Sequence, residues 1–409
     1  MAGPLESVKV WDASWVGVGP LATRYLAQYG ATVVRTESTR SVDVLRMAPP
    51  FKDGVPGINR SQFFADYNAS KLGLGVNLST EGGRRVATRL AAWADVVVES
   101  FSPGVMERLG FGYRRLRELN PSLIMISTSM NGQTGPRRHF AGFGTVLAAM
   151  GGFCELTGWP DRAPGSPYGA YTDFIGQRFA ATAALAALEH RDRTGEGQYI
   201  DLSQLETGLM FLAPELVDHQ LTGHIARRDG NRSPAAAPHG VFPCRPEDGR
   251  EQWVAIAVTD DAQWAALREA LGGADWTADP RLDTLAGRKA QEDRLEEALA
   301  AWTRTRTTAE VVGALQPRVP AGPVHDAWGL QADPQIAHLG YFQRQTHTVM
   351  GEMPYEGAQA ELSLTPCHVT KAAPLLGEDN EVVLTKLLRF TPAEVDQLVA
   401  AGAVEQVLD

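Results

Sequence analysis

The segment from Tyr168 to Arg178 carries a single carboxylate, Asp173, where a loop gives way to a helix-forming run. Proline and glycine are frequent before it, and alanine and leucine dominate residues 180–188. A carboxylate at the start of a helix is favoured by unpaired backbone N–H groups and by the positive end of the helix dipole. Two interpretations follow. Asp173 caps the helix, as aspartate often does, or it is a nucleophile that forms a covalent acyl intermediate.

A second pattern with chemical potential lies near the N-terminus. Gly17, Gly19 and Ala22 fit the relaxed G-x-G-x-x-A pattern of dinucleotide sites. Glu37 follows Gly17 by 20 residues, where an acid that binds a ribose would stand. The same residues also suit a plain strand-to-helix turn, because Pro20 is favoured in the first helical turn. A nicotinamide-dependent oxidoreductase therefore stays open as an alternative.

The elements that position these residues alternate in type over roughly the first 130 residues. Apolar strands are predicted at 8–12, 32–37, 95–99 and 123–127, with helices between them. This alternation predicts a doubly wound, Rossmann-like α/β layer with a parallel sheet, in which ligands bind at the carboxyl ends of the strands. We therefore expect the segments after Asp12, Glu37, Glu99 and Ser127 to face one common site.

Two breaks rich in proline and glycine divide the chain, at residues 226–243 and 319–323. We interpret both as linkers. They predict a large α/β domain over residues 1–225, a smaller α+β domain over 226–325, and a return segment over 326–409 that completes the large domain. The length of 409 residues supports more than one domain.

Composition argues against several functional classes. A formal net charge of −10 disfavours a general nucleic-acid binder. No run of about 18 apolar residues is present, so no membrane span is expected. The first seven residues lack the basic head and apolar run of a secretion signal. Three widely spaced cysteines fit reduced thiols without metal-binding spacing, so we expect a cytoplasmic protein with no metal.

Several segments together resemble the family III CoA-transferases, a group that includes formyl-CoA transferase and carnitine CoA-transferase and is related to the α-methylacyl-CoA racemases. The resemblance covers nearly the whole chain. Its most specific stretch is residues 94–110, which read ADVVVESFSPGVMERLG. The Gly17–Glu37 unit, the Asp173 segment and three shorter matches extend it, at 190–198, 322–324 and 374–378.

This resemblance implies a role for Asp173. In the family, the aspartate at its position attacks an acyl-CoA thioester to give a mixed anhydride, and then an aspartyl-CoA thioester that the acceptor acid attacks. A carboxylate preserves the activated bond through these exchanges, whereas water would destroy it. We expect the helix N-terminus to keep Asp173 ionised at neutral pH, and the side chain to cap the helix as well. The resemblance thus favours the nucleophile over the simple cap.

Coenzyme A enters as part of the acyl-CoA substrate, and its phosphates need cations and free N–H groups. The resemblance matches its contacts to positions in the predicted loops and strands of the large domain, namely Gly17, Arg40, Lys71, Leu72, Ser100, Phe101 and Arg108. The competing interpretations are solvated surface charges for the cations and core packing for Phe101. No NAD is expected on this resemblance.

Departures from the family pattern bear on the substrate. Ser100 and Ser102 stand where the common turn has Asn and Arg, which weakens the expected CoA contacts there. The loop at 236–241 has one glycine, Gly240, where formyl-CoA transferases have several, so a formyl or oxalyl substrate is not favoured. His239 and Gly240 are the expected substrate contacts, with an ordinary surface histidine as the alternative.

Residues 14–20 and 50–57 resemble the benzylsuccinate-type transferases, which use succinyl-CoA and a substituted succinate. The expected reaction is transfer of CoA from succinyl-CoA to a carboxylic acid such as benzylsuccinate. The resemblance implies an interlocked homodimer, or a heteromer with a related subunit in which Asp173 marks the catalytic half. A racemase is an alternative, but Phe143 replaces the proton-transferring histidine of the racemases. A non-catalytic subunit is the other alternative.

Overall fold

Strands and helices alternate along most of the chain in the computed structural model, which describes residues 3–409. Met1 and Ala2, which open the N-terminal stretch considered above, lie outside the described residues. The strands are β1 (Lys9–Asp12), β2 (Thr32–Glu37), β3 (Leu72–Gly75), β4 (Val96–Glu99), β5 (Ile124–Ser129), β6 (Tyr199–Ser203), β7 (His239–Glu247), β8 (Arg250–Ala257), β9 (Ala321–Pro323), β10 (Phe342–His347) and β11 (Gly351–Glu356).

Helices connect most of these strands. They are α1 (Val18–Gln28), α2 (Gln62–Asn68), α3 (Glu81–Trp93), α4 (Val105–Leu109), α5 (Tyr113–Leu119), α6 (Gly144–Met150), α7 (Phe153–Leu156), α8 (Tyr171–Thr194), α9 (Gln204–Leu209), α10 (Ala213–Thr222), α11 (Asp261–Ala270), α12 (Leu285–Ala290), α13 (Glu292–Thr303), α14 (Thr308–Leu315), α15 (Ala327–Ala332), α16 (Pro334–His338) and α17 (Pro392–Ala400). Short 3₁₀ turns and a π-helical segment, Val382–Leu387, also occur.

The chain packs into two compact units. The first holds the described residues up to Cys154 together with Ser166–Ile225 and Ala337–Asp409. Its core is a parallel sheet in the order β3-β2-β1-β4-β5-β6. This is the strand order of doubly wound nucleotide-binding folds, with the reversal of winding between β1 and β4. All four residues of β4 are buried, as a strand covered on both faces requires. The predicted α/β fold is confirmed.

The last segment of the chain returns to this first unit. Val383, Leu384 and Leu398 are buried in one apolar cluster with Trp11 and Leu90. The C-terminal helix α17 begins with a complete capping box, as its sequence pattern indicates. Residues 337–409 therefore supply part of the same core that the N-terminal strands build.

The second unit comprises Glu155–Gly165 and Ala226–Ile336. Its antiparallel sheet has the order β7-β8-β9, and Trp264, Leu299 and Val311 are buried in its core. Residues 319–323 are not a linker here, because 321–323 form the edge strand β9. An edge strand accommodates proline, which has no N–H to donate.

Candidate active site

A cavity of about 450 Å³ opens in the first unit at the carboxyl ends of β1 and β4, where the winding reverses. Ligands of doubly wound folds bind at this switch point. The walls come from residues 15–18 after β1, from 100–103 after β4, and from 128–130, Arg138 and 140–144 at and after the end of β5. Asp173 of α8 and Gln204 of α9 complete the lining. Segments that follow three of the strands named in the sequence analysis therefore share one site, whereas the segment after β2 is not in this lining.

Asp173 occupies the third position of α8 and is 7% exposed. The residue at the helix cap is Ala170, and no side chain caps this end of the helix. The Asp173 N–H donates to the Ala170 carbonyl over 2.8 Å. The prediction that Asp173 caps the helix is therefore wrong, because the helix begins earlier than expected and places this residue inside its first turn.

The Asp173 carboxylate has no partner. Within residues 3–409 it accepts no hydrogen bond and forms no ion pair, and burial raises its pKa to about 7. Burial therefore acts against the expectation that the helix dipole keeps Asp173 ionised at neutral pH. A dipole contributes about 0.3–1 kcal/mol at such a position, which is less than the cost of removing an unpaired carboxylate from water.

Two glycines bring the backbone close to this carboxylate. A Cβ atom on Gly17 would lie 2.6 Å from Oδ2 of Asp173, and one on Gly144 would lie 2.8 Å from Oδ1. Any side chain at either position would displace the carboxylate. Gly17 also precedes the first turn of α1, whose leading N–H groups have no acceptor within the helix. The expected contact of Gly17 with CoA stays a prediction.

The loop before Gly17 is held in a strained conformation. Val16 has a φ of 64°, a region that β-branched residues rarely adopt. Its N–H donates to Oδ2 of Asp43 over 3.2 Å. Trp15 and Ser100 exchange two hydrogen bonds, from the Trp15 N–H over 2.7 Å and from the Ser100 hydroxyl over 3.0 Å. Strain of this kind persists where surrounding contacts impose it, which is common at functional sites.

A buried network of charges supports the same loop. Arg35 pairs with three carboxylates and also donates to the Ser14 carbonyl over 2.8 Å. Positive and negative groups balance in number, since the members of the network are Asp12, Arg35, Glu37, Asp43, Arg46 and Lys71. Buried charges persist when they are paired in this way.

Lys71 and Glu37 are both used inside this network. The Lys71 ammonium donates to Asp12, to Asn68 and to a backbone carbonyl, each over 2.8 Å. An ammonium has three donors, so none is left for a phosphate in this structure. Both oxygens of Glu37 accept from Arg46, over 2.9 and 2.7 Å. Glu37 is the acid that the dinucleotide pattern assigns to a ribose, and both of its oxygens already accept hydrogen bonds from Arg46.

The other residues matched to CoA occupy different environments. Arg40 and Arg108 are exposed and form no ion pair among residues 3–409, and they follow β2 and β4 respectively. Leu72 begins β3 and packs, half-buried, against the apolar cluster around Trp11. Phe101 and Ser100 line the cavity, and the Phe101 ring meets Trp15 edge to face at 5.7 Å between centroids. Their contacts with CoA stay predictions.

His239 and Gly240 belong to the second unit. They begin β7 instead of lying in a loop, and they line a cavity of about 550 Å³ within that unit. Nδ1 of His239 lies 2.5 Å from the Asn231 carbonyl oxygen. Their expected contact with substrate stays a prediction.

Four polar residues of the Asp173 cavity were not found from the sequence: Thr128, Ser129, Arg138 and Gln204. Arg138 is the one cation in the described lining, and its Nε donates to Nε2 of His139 over 2.9 Å. Ser129 ends β5 and Gln204 directly follows β6. Their positions at the ends of strands could have indicated a place in the site, because the carboxyl ends of all strands in a parallel sheet face the same edge.

Residues 5–380 match the family model described as CoA-transferase family III. The chain belongs to this family. It is 33% identical over 402 residues to succinyl-CoA–D-citramalate CoA-transferase of Chloroflexus aurantiacus, with 98% of each chain covered. It is 31% identical over 397 residues to the alpha subunit of succinyl-CoA–L-malate CoA-transferase of the same organism, covering 97% of this chain and 91% of the relative.

The solved structures agree with this family. A CAIB/BAIF family protein from Brucella suis superposes with a TM-score of 0.86 at 29% identity, covering 95% of this chain and 100% of that one. The protein is therefore a CoA-transferase, and its substrates include CoA thioesters. The resemblance to family III that the sequence indicated is confirmed. Over residues 3–409, no helix has the length and apolar character to cross a membrane. The same residues hold no group of three or more His, Cys, Asp or Glu side chains suited to a metal ion.

Proposed function

We propose that this family III CoA-transferase moves CoA from succinyl-CoA to a substituted succinate, through covalent intermediates on Asp173. The observation that carries the proposal is the buried, unpaired Asp173 carboxylate between Gly17 and Gly144, in the cavity at the switch point of the sheet. The two relatives support the substrate class, because their names pair succinyl-CoA with citramalate and malate. Both acids are succinates that carry a substituent, and so is benzylsuccinate.

The reaction proceeds by four exchanges between carboxylates and a thiolate. The Asp173 carboxylate attacks the thioester carbon of succinyl-CoA, the C–S bond breaks, and CoA thiolate leaves a succinyl-aspartyl anhydride. The thiolate attacks the aspartyl carbon, giving the aspartyl-CoA thioester and free succinate. The acceptor carboxylate attacks that thioester, and the released thiolate then takes the acceptor acyl group. Asp173 returns as a carboxylate, and no water is consumed.

The environment of Asp173 suits this sequence. Each step exchanges one anion for another, so no general acid or base is required. Burial without hydrogen-bond donors leaves the carboxylate poorly solvated and therefore reactive when it is ionised. The racemase alternative needs a second proton-transfer group, but Phe143 lines the cavity and no histidine is among its described lining residues.

Other lining residues fit a substituted succinate. We assign the distal carboxylate of the acid to Arg138, whose guanidinium has N–H groups free after its bond to His139. The aromatic rings in the lining suit an apolar substituent such as methyl or benzyl, and they are Trp15, Phe101, Phe140 and Phe143. Arg40, Arg108 and the backbone at Gly17 are proposed to hold the phosphates of CoA.

We also propose that the enzyme works as a dimer, either of two identical chains or with a related subunit. The relative named as an alpha subunit supports the second arrangement. Light scattering of the purified chain, followed by transfer assays with and without the related subunit, separates the two. A non-catalytic role for this chain would leave transfer in the mixed complex unaffected by Asp173→Ala.

The covalent role of Asp173 is tested by trapping. Wild-type protein is incubated with succinyl-CoA and hydroxylamine, and the hydroxamate is located by peptide mass spectrometry. We expect the label on Asp173, and a loss of transfer of at least about a thousandfold in Asp173→Ala. Asp192→Ala, an exposed position on the same helix, is the matched control and should retain full activity. Undiminished transfer in Asp173→Ala, or a label on another residue, would refute the proposal.

A further inference from the structure

Gln204 is a buried amide that nothing in the protein satisfies. It is the first residue of α9 and is 9% exposed, yet its carboxamide has no hydrogen-bond partner among residues 3–409. Its Oε1 atom is sealed from solvent. Gln204 nevertheless lines the same cavity as Asp173. An unsatisfied buried acceptor costs about 1–3 kcal/mol, so its persistence points to a ligand that pairs with it.

The position of Gln204 relative to Asp173 is fixed by α8. A Cβ atom on Gly176 would lie 3.6 Å from Cγ of Gln204, so this side chain packs directly on α8. Gly176 follows Asp173 by three residues, which places both on one face of the helix. Gln204 therefore lies about one turn along α8 from the reactive carboxylate.

Ser129 is a second unsatisfied group in the same wall. Its hydroxyl is buried without a partner, and it also lines the cavity. Ser129 pairs with Ser203 in the register of β5 and β6, and the Leu205 N–H donates to the Met130 carbonyl over 3.0 Å. These backbone contacts hold Gln204 beside Ser129. Both residues thus line one end of the cavity without any charge of their own, and rotation of either side chain would present its unsatisfied oxygen to a ligand there.

The chemistry of this pair selects its ligand. A carboxylate can only accept hydrogen bonds, so it cannot satisfy the Gln204 oxygen. A hydroxyl group donates one hydrogen bond and accepts others, so it can donate to Oε1 of Gln204 while accepting from the Ser129 hydroxyl. We propose that Gln204 and Ser129 form a subsite for a hydroxyl on the acceptor acid, which makes the enzyme selective for hydroxylated dicarboxylic acids. This inference rests on the proposed function, since it specifies which acceptor acid receives CoA through Asp173.

The pantetheine arm of CoA is the other source of a donor, through its amide N–H groups. The two sources predict different kinetics. If the subsite binds a hydroxyl, its loss lowers kcat/KM only for acids that carry the hydroxyl. If it binds a pantetheine amide, its loss lowers kcat/KM equally for every acid and raises the KM for succinyl-CoA.

The experiment compares acids that differ by one hydroxyl: citramalate with methylsuccinate, and 2-hydroxyglutarate with glutarate. Wild-type enzyme is expected to show a kcat/KM about tenfold or more higher for the hydroxylated member of each pair. Gln204→Met keeps the length of the side chain and removes its hydrogen bonding. It should lower kcat/KM about tenfold for the hydroxylated acids and change the others less than about threefold. Ser129→Ala should act in the same direction.

The matched control is Gln177→Met, because Gln177 is equally buried at 9% exposure and does not line the cavity. It should leave both acids unchanged. Equal losses on both members of a pair in Gln204→Met, or no loss on either, would overturn the subsite. Thermal melts of each variant exclude a folding defect as the cause.

A direct binding measurement separates this inference from the proposed function. Saturation-transfer NMR reports the affinity of each acid for the protein without turnover. If no acid receives CoA, the proposed function fails. The subsite then stands only if citramalate binds more tightly than methylsuccinate and Gln204→Met abolishes that preference. Equal affinities in the wild type would overturn it.

Discussion

Asp12 and Asp173 are both buried carboxylates of the first unit, yet their surroundings are opposite. Asp12 accepts from Ser14, Thr23 and Lys71, and the Arg35 guanidinium lies 3.6 Å away. Burial alone would raise the pKa of Asp12, but Lys71 and Arg35 outweigh it and lower the pKa to about 2. Asp173 has no such partner, and burial raises its pKa to about 7.

The difference shows that burial does not by itself decide what a carboxylate does. Asp12 has its hydrogen-bonding capacity filled by the protein, so it fixes the loop that ends at Gly17. Asp173 is left unsatisfied, so its interaction energy is available to a substrate and, in the proposed reaction, to the bonds that form on it. A fully paired charge is structural here, and an unpaired one in a cavity is the candidate reactive group.

The largest expected effect is on the paired carboxylate. Asp12→Asn would leave the Lys71 ammonium buried without its counter-charge, and we expect a loss of about 4 kcal/mol in the free energy of unfolding. Urea denaturation at pH 7 measures it. The double variant Asp12→Asn with Lys71→Met removes both charges and should recover part of the loss. A loss below about 1 kcal/mol in the single variant would contradict the assigned pairing.

A smaller effect of opposite sign is expected at the unpaired carboxylate. The folded protein holds the Asp173 proton more tightly than the unfolded chain, so stability falls as pH rises from about 4 to about 7. Asp173→Asn carries no charge and avoids this loss. Its gain in unfolding free energy over the wild type should be about 2 kcal/mol larger at pH 8 than at pH 5. In Asp192→Asn, the exposed control, we expect no such change, and a pH-independent difference at Asp173 would count against a desolvated carboxylate.

The smallest effect concerns rate. In the proposed reaction only ionised Asp173 attacks the thioester, so formation of the covalent adduct should rise about tenfold between pH 6 and pH 8, with a midpoint near the pKa of about 7. Rapid-quench mixing with succinyl-CoA, followed by intact-mass detection, measures this step. A flat profile across that range would show that the Asp173 carboxylate is already ionised at pH 6. The difference between the pKa values of Asp173 and Asp12 would then be smaller than described above.

The regular elements were predictable because their signals are local. The prediction for β2 at residues 32–37 coincides with the strand, and the capping box that starts α17 at Thr391 is visible in the sequence as Thr-Pro-Ala-Glu. Periodic apolar residues and caps act within a few positions of one another, so one sequence reveals them. The location of the cavity at the carboxyl ends of the strands followed from the alternation of strands and helices, although the segment after β2 does not line it.

The features that were missed depend on distant partners. Nothing in the residues around Lys71 indicates that Asp12 would occupy its ammonium, and the sign of the Asp173 pKa shift depends on burial created by other segments. Proline and glycine in 319–323 favoured a linker, but pairing with β8 made that segment a strand. Gln204 was overlooked because its distinguishing property is the absence of a partner, which only a folded chain reveals.

The return of residues 337–409 to the first unit has a consequence for synthesis. Translation adds about 5–20 residues per second, and domains generally begin to fold as they emerge. The partners that bury Trp11 and Leu90 include Val383 and Leu384, which leave the ribosome after every residue of the second unit. The nascent N-terminal sheet therefore keeps part of its apolar surface uncovered until the closing segment arrives, and exposed surface of this kind favours aggregation.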